Sequence, residues 1–296
     1  VPGLPVLVNI TRDVMEVFNN ISEMQKWSLQ TCKQGNSIGL VPTMGYLHDG
    51  HLSLVREARK KCDKVVVSIF VNPLQFGQGE DFEEYPRNLT RDGALLEAAG
   101  VDALFAPSAR EMYPAGFSSN VEVTGEITEK MCGASRPGHF KGVTTVCTKL
   151  FHACLPDMAF FGQKDAQQLL IIQKMVRELN FPLKIVPVPI VREKDGLALS
   201  SRNVYLEGVQ RQEALVLIKA LKQAEEQIRG GERDVGRLTA DIKATIATSP
   251  QAEIDYVEIL NGDNLSELER VEGRVLIALA VKFGKTRLID NLLVEV

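Results

Sequence analysis

Two histidines, His48 and His51, stand in the stretch Pro42-Thr43-Met44-Gly45-Tyr46-Leu47-His48-Asp49-Gly50-His51. At that spacing both imidazoles can point at one set of phosphates. They can donate hydrogen bonds as negative charge grows on a leaving oxygen, either protonated or as the right neutral tautomer. The stretch follows the apolar run Ser37 to Val41 and precedes a helical pattern that begins at His51. In a parallel α/β sheet, ligands gather at the carboxyl ends of strands, beside helix N-termini whose free N–H groups suit phosphate. Gly45 and Gly50 let the backbone bend and approach a ligand. H-x-G-H alone is short, and surface or capping histidines also produce it. Its place between a buried strand and a helix favours phosphate chemistry.

Three other segments repeat this placement. Phe161-Gly162-Gln163-Lys164-Asp165-Ala166-Gln167-Gln168 follows the run Met158 to Phe161. Lys164 offers a point charge for phosphate, with a structural salt bridge as the alternative; Asp165 suits a helix cap. In Ser68-Ile69-Phe70-Val71-Asn72-Pro73-Leu74-Gln75, the amides of Asn72 and Gln75 offer the donor and acceptor a hydroxy-acid needs, with an Asn-Pro turn as the alternative. Leu199-Ser200-Ser201-Arg202-Asn203 carries a guanidinium able to grip phosphate at two points, and two hydroxyls. Alone, that last pattern is weak and more often marks a solvated turn or a helix cap.

Positioning these groups takes a sheet and its helices. Ser37 to Val41, Lys64 to Val71, Ala103 to Phe105, Met158 to Phe161 and Leu183 to Val191 read as buried strands, with Pro187 and Pro189 pushing the last toward an edge or an irregular strand. His51 to Cys62, Arg87 to Ala99 and Asp165 to Leu179 read as helices between them. The alternation predicts a Rossmann-like, doubly wound α/β domain over 1–189. Beyond it, helices over Gln210 to Gly230 and Asp234 to Thr248, then strands Ile254 to Leu260, Val275 to Val281 and Thr286 to Leu293, predict a smaller α+β domain over 190–296, expected to serve as a lid that carries the S-S-R-N loop.

Composition sets the class. The chain has 296 residues, 45% hydrophobic and 24% charged, enough for a sizeable core without disulfides or structural metal. A net charge of -4 argues against a nucleic-acid surface. Cys32, Cys62, Cys132, Cys147 and Cys154 are odd in number and lack C-x-x-C spacing, so they read as small apolar residues. No run is long enough for a membrane helix, and no signal peptide is expected at the N-terminus. A cytoplasmic enzyme is the default reading.

The H-x-G-H stretch resembles the signature of the nucleotidyltransferase superfamily, whose members attack the α-phosphate of ATP. The S-S-R-N segment stands where that superfamily places its second phosphate loop. More specifically, P-T-M-G-x-L-H-x-G-H, F-V-N-P-x-Q-F, Y-P-R (Tyr85 to Arg87), G-H-F-x-G-V (Gly138 to Val143), F-G-x-K-D-x-Q-Q and L-x-L-S-S-R-N together resemble the pantothenate synthetase family, in the family's order. The resemblance covers about residues 38–203; the C-terminal third carries no diagnostic motif. It implies ATP-dependent condensation of pantoate with β-alanine through an acyl-adenylate.

It also implies a set of sites. ATP lies along Met44, Gly45, Tyr46, Leu47, His48, Asp49, Gly50 and His51. His51 is the proton donor, and His48 joins it on the phosphates. Gly162, Gln163, Lys164 and Asp165 form the second ATP segment, Val191 an adenine-side contact, and Leu199, Ser200, Ser201 and Arg202 a loop closing on the phosphates. Gln75 and Gln168 bind pantoate, Gln75 also lies near β-alanine, and Met44 packs on the pantoate methyls. Asp92 matches an acidic residue associated with Mg2+; a surface helix carboxylate is its alternative. Gly138, His139 and Phe140 are expected to cover the site, with Arg136 and His139 near ligands, and the family implies a homodimer. Gln163 departs from the family's usual Glu, which suits a backbone contact there. The rivals are another H-x-G-H enzyme, such as a phosphopantetheine adenylyltransferase, and a non-catalytic nucleotide-binding regulator. The first lacks the F-V-N-P-x-Q-F and F-G-x-K-D-x-Q-Q segments; the second has no reason to retain His48, His51, Lys164 and Arg202.

Overall fold

The computed structural model describes residues 14–296. The stretch on which the expectation of no signal peptide rests falls largely outside these residues. Strands β1 (Glu16–Phe18), β2 (Ile38–Thr43), β3 (Lys64–Ile69), β4 (Ala103–Phe105), β5 (Met158–Gly162) and β6 (Lys184–Val188) form one sheet. Its order is β1-β4-β3-β2-β5-β6, and every pairing is parallel. From β2 the chain steps outward through β3 to β4, then returns past β2 to add β5 and β6. The order therefore reverses between β2 and β5, and a reversal opens a ligand crevice outside the carboxyl ends of those strands. The proline-bearing β6 is an edge strand, where a missing N–H is tolerated.

Helices α1 (Ile21–Lys33), α2 (Asp49–Lys61), α3 (Leu89–Ala98), α4 (Ala109–Met112), α5 (Met131–Ser135), α6 (His139–Cys154) and α7 (Ala166–Glu178) accompany this sheet. Leu40 and Val66 pack with α1, α6 and α7 on one face, while Val41, Val65 and Val67 pack with α2 and α3 on the other. Burial on both faces is why these strands read as unbroken apolar runs. Helix α6 was not foreseen: twelve of its sixteen residues are buried, and only Lys141, Thr148, Lys149 and His152 form a narrow polar stripe along it. Helix α1 starts at Asn20, whose side chain accepts from Glu23 N; it and the short β1 were also unforeseen.

Helices α8 (Gly208–Glu213), α9 (Val216–Arg229) and α10 (Val235–Ile246) precede an antiparallel sheet of β7 (Ala252–Asn261), β8 (Arg274–Phe283) and β9 (Thr286–Glu295). The single helix expected over Gln210 to Gly230 is instead two, α8 and α9. At the break Ala214 is fully buried, and the Glu213 carboxylate accepts from Ser249 Oγ and Gln251 N. These tertiary bonds leave no mark in the amphipathic period. Ile277, Leu279 and Val281 of β8 pack with α9 and α10, whereas Leu276 and Ala278 join the core of the large sheet. The five cysteines are all unpaired.

Candidate active site

The turn after β2 is set by backbone and by one carboxylate. Gly45 has φ 85° and Tyr46 φ 49°, both left-handed. A Cβ at Gly45 would meet Ile69 Cγ2 at 2.9 Å. Asp92, 1% exposed, accepts from Tyr46 N at 2.7 Å and Leu47 N at 2.8 Å. Its oxygens are thus committed to the turn, and it does not line the crevice. Arg91 donates to Leu47 O and lies over the Tyr46 ring.

The turn delivers His48 as N-cap of α2 and His51 three residues inside it. His48 Nδ1 accepts from Gly50 N at 3.1 Å, and His51 Nδ1 accepts from His48 N at 3.3 Å. The backbone N–H can only donate, so both Nδ1 atoms lack a proton. Each neutral ring therefore carries its proton on Nε2. The ring centroids are 4.0 Å apart. Burial, then the Lys164 charge, pushes His48 down to about 4; burial, then His48 and Lys164, holds His51 well below its usual value. Two neutral N–H donors result, with no need for imidazolium. Gly50 makes this possible, since a Cβ there would meet His48 Cε1 at 2.8 Å.

Across the β2/β5 reversal, β5 ends at Gly162 and a short turn over Gln163–Asp165 leads into α7. Lys164 lines the crevice and makes no ion pair among the described residues. Asp165 occupies the N-cap position of α7 without a side-chain cap bond. Gly162 borders open space, with nothing within 4 Å of a Cβ built there. Gln163 does not line the crevice, and its backbone carbonyl accepts from Asn291.

A third group is built around Gln75. Asn72, 1% exposed, accepts from Tyr113 OH at 2.7 Å and Leu74 N, and donates to Gly142 O and to Gln75 Oε1 at 3.1 Å. With its own polar atoms used, Asn72 fixes the Gln75 amide so that Nε2 faces Met44 Sδ, 3.2 Å away. His139 Nδ1 and Arg136 Nη2 both hold Gln75 O, at 2.8 and 3.2 Å. His139 accepts from Arg136 on Nε2, and burial, then Arg136, pushes it down to about 4. Arg136 is itself paired at two points with Glu80. Beside Gln75 the wall turns apolar, with Met44, Phe70, Val143 and Val146, and Gln168 lies on the same crevice.

The S-S-R-N loop closes the rim. Ser201 Oγ donates to Tyr46 O, and Ser200 caps the short helix carrying Arg202. Arg202 lines the crevice but pairs with Asp81 at 2.7 and 2.8 Å and lies over the Tyr85 ring. Of the residues singled out in the sequence, the crevice brings together Met44, His48, Gly50, His51, Asn72 and Gln75. It adds Gly162, Lys164, Asp165, Gln168 and Val191, and then Leu199 with Ser200, Ser201 and Arg202. Gly45, Tyr46, Leu47, Asp49, Gln163 and Asp92 do not line it. Asp81, Glu80, Arg192, Asp290 and Asn291 were missed; only their charge or amide, without a motif, marks them.

A family described as pantoate–β-alanine ligase matches residues 16–293. The pantothenate synthetase of Syntrophomonas wolfei is 68% identical over 282 residues, covering 95% of this chain and all of that protein. The crystal structure of pantothenate synthetase from Thermus thermophilus superposes with a TM-score of 0.89 at 46% identity, covering 94% of this chain and 99% of that one. A Francisella tularensis pantoate–β-alanine ligase, complexed with β-γ ATP and β-alanine, gives 0.77 at 36% identity, over 94% of this chain and 97% of that one. These matches carry a ligase joining pantoate to β-alanine, and not the adenylyltransferase alternative. The chain belongs to the pantoate–β-alanine ligase family.

Proposed function

We propose that the crevice carries out this ligation in two steps, with the triphosphate over His48, His51 and Lys164 and pantoate beside Gln75 and Gln168. The observation that carries the reading is the Lys164 ammonium, without an ion-pair partner among the described residues, set near two imidazoles whose Nδ1 atoms are held as acceptors. Fixed donors of this kind stabilise charge on departing pyrophosphate.

In the first step a pantoate carboxylate oxygen attacks the α-phosphorus of ATP, and the bond to the bridging oxygen breaks. Pyrophosphate leaves, its charge met by His48 and His51 Nε2–H, Lys164, Ser200 and Arg202. A mixed anhydride with AMP remains. In the second step the free amine of β-alanine attacks the acyl carbon, AMP departs, and one proton is released. No protein nucleophile is needed, and catalysis rests on positioning and charge. Gln75 Nε2 and Gln168 hold the hydroxy-acid, and the apolar wall of Met44, Phe70 and Val143 receives its methyls. Gly162 leaves room for ATP, and Val191 and Leu199 border the nucleotide.

Magnesium enters this reading as MgATP. The described residues hold no group of three or more His, Cys, Asp or Glu able to cage an ion, which suits a cation carried mainly by phosphates. Asp165 is the carboxylate that faces it; Asp92 shapes the turn instead. The reading divides the chain at 189/190 and assigns closure to the S-S-R-N loop, because β8 is buried on both faces. It also includes a homodimer and a cytoplasmic setting. No helix among the described residues is long and apolar enough to cross a membrane. AMP production from ATP tests the reading: it should require both pantoate and β-alanine, and turnover without either would overturn it.

A further inference from the structure

Nothing in the C-terminal third announced a role in the crevice, yet β9 touches a turn that borders it. Asn291, 6% exposed, donates from one amide nitrogen to Gln163 O and Lys164 O, both at 2.9 Å. Two carbonyl partners fix that atom as nitrogen. The turn it grips has no side-chain cap of its own at either Gly162 or Asp165. The neighbouring Asp290, 2% exposed, accepts from Asn291 N at 2.8 Å and pairs with Arg192 at 2.6 and 2.9 Å. Arg192 also donates to Gly196 O, within the segment that leads to Leu199 and the S-S-R-N loop. One dipeptide of the small sheet thus holds the turn that bears Lys164 and, through Arg192, the segment that leads to the S-S-R-N loop.

We propose that Asn291 is a positioning residue for adenylate formation, its amide setting the reach of Lys164 toward the triphosphate. This rests on the reading of Lys164 given above. Without the amide, two carbonyls lose their donor and the uncapped turn is free to shift. A displacement of an ångström at a charged group costs on the order of 10²-fold in rate.

The test compares Asn291→Asp, which keeps volume but removes both N–H donors, with Asn291→Ala, Lys164→Ala and Leu288→Ala. Leu288 is buried in β9 on the side of α9 and α10 and serves as a control for general loosening. Pyrophosphate release and KM for ATP and for pantoate are measured for each. Both Asn291 variants should raise KM for ATP and slow release by roughly 10- to 100-fold, with KM for pantoate within about twofold of wild type. Leu288→Ala should lower melting temperature without that split. If Lys164→Ala is impaired while both Asn291 variants release pyrophosphate normally, the inference falls alone. Equal rises in both KM values, or the same pattern in Leu288→Ala, would also overturn it. If Lys164→Ala is itself normal, the reading of the site fails and takes the inference with it.

Discussion

Arg202 and Asp81 form a two-point ion pair, with Nε and Nη2 on the two carboxylate oxygens at 2.8 and 2.7 Å. Arg202 is the guanidinium assigned to the phosphates, so Asp81 occupies it with the same two-point contact that two phosphate oxygens would make. In the proposed reading, ATP competes with that carboxylate. A partly exposed pair of this kind is worth ~1 kcal/mol, so Asp81→Asn should lower KM for ATP by about fivefold. Steady-state kinetics at varied ATP check this. A raised KM would show that Asp81 holds Arg202 in the working pose.

The histidines set a pH dependence with a definite sign. His48 and His139 are pushed down to about 4, and His51 lies well below its usual value. Unfolded histidine binds a proton near pH 6.5, while these folded rings stay neutral. The unfolded state therefore gains protons first as pH falls, and stability drops from about pH 6.5 toward pH 4. Melting temperature followed across that range should fall on acidification. Adenylate formation should show no histidine-linked loss between pH 8 and about 5, because the active form is neutral. A loss centred near pH 6.5 would contradict the Nε2–H assignment.

Asp92 separates two roles. Removing its carboxylate orphans the Tyr46 and Leu47 N–H groups, and Asp92→Ala should destabilise the fold by about 1–3 kcal/mol. Since it does not line the crevice, the Mg2+ concentration for half-maximal activity should stay unchanged. Denaturant melts and a Mg2+ titration read the two separately. A shifted Mg2+ requirement with unchanged stability would return Asp92 to the metal.

Gly142 brings α6 against the Gln75 loop, where an added Cβ would lie 2.2 Å from Leu74 O. Gly142→Ala must push the helix and loop apart at a cost of roughly 1–3 kcal/mol. Asn72, bonded to Gly142 O, moves with them and releases the Gln75 amide. KM for pantoate should rise more than KM for ATP. Equal effects on both substrates would argue against Gln75 as the pantoate anchor.

Much of this arrangement was legible in the sequence, and the remainder was hidden for identifiable reasons. The run at β3 and the H-x-G-H turn announced themselves, because continuous burial and a strand-to-helix junction leave local patterns. Helix α6 was hidden by burial on most of its surface. Asn72 was assigned to a ligand because its amide shows capacity, and Asp92 because the resemblance puts a metal-associated carboxylate there; neither signal says that Tyr113, Gly142, Tyr46 and Leu47 are their partners, which tertiary packing sets. Asn291 was invisible for the same reason, as its partners lie 127 and 128 residues away along the chain.

The most direct test of the two-step reading is single-turnover pyrophosphate release with MgATP and pantoate in the absence of β-alanine. The account predicts close to one pyrophosphate per active site in the wild type, slowed by ~10²-fold or more in His51→Ala and in Lys164→Ala. No release until β-alanine is added, or wild-type release from either variant, would contradict it.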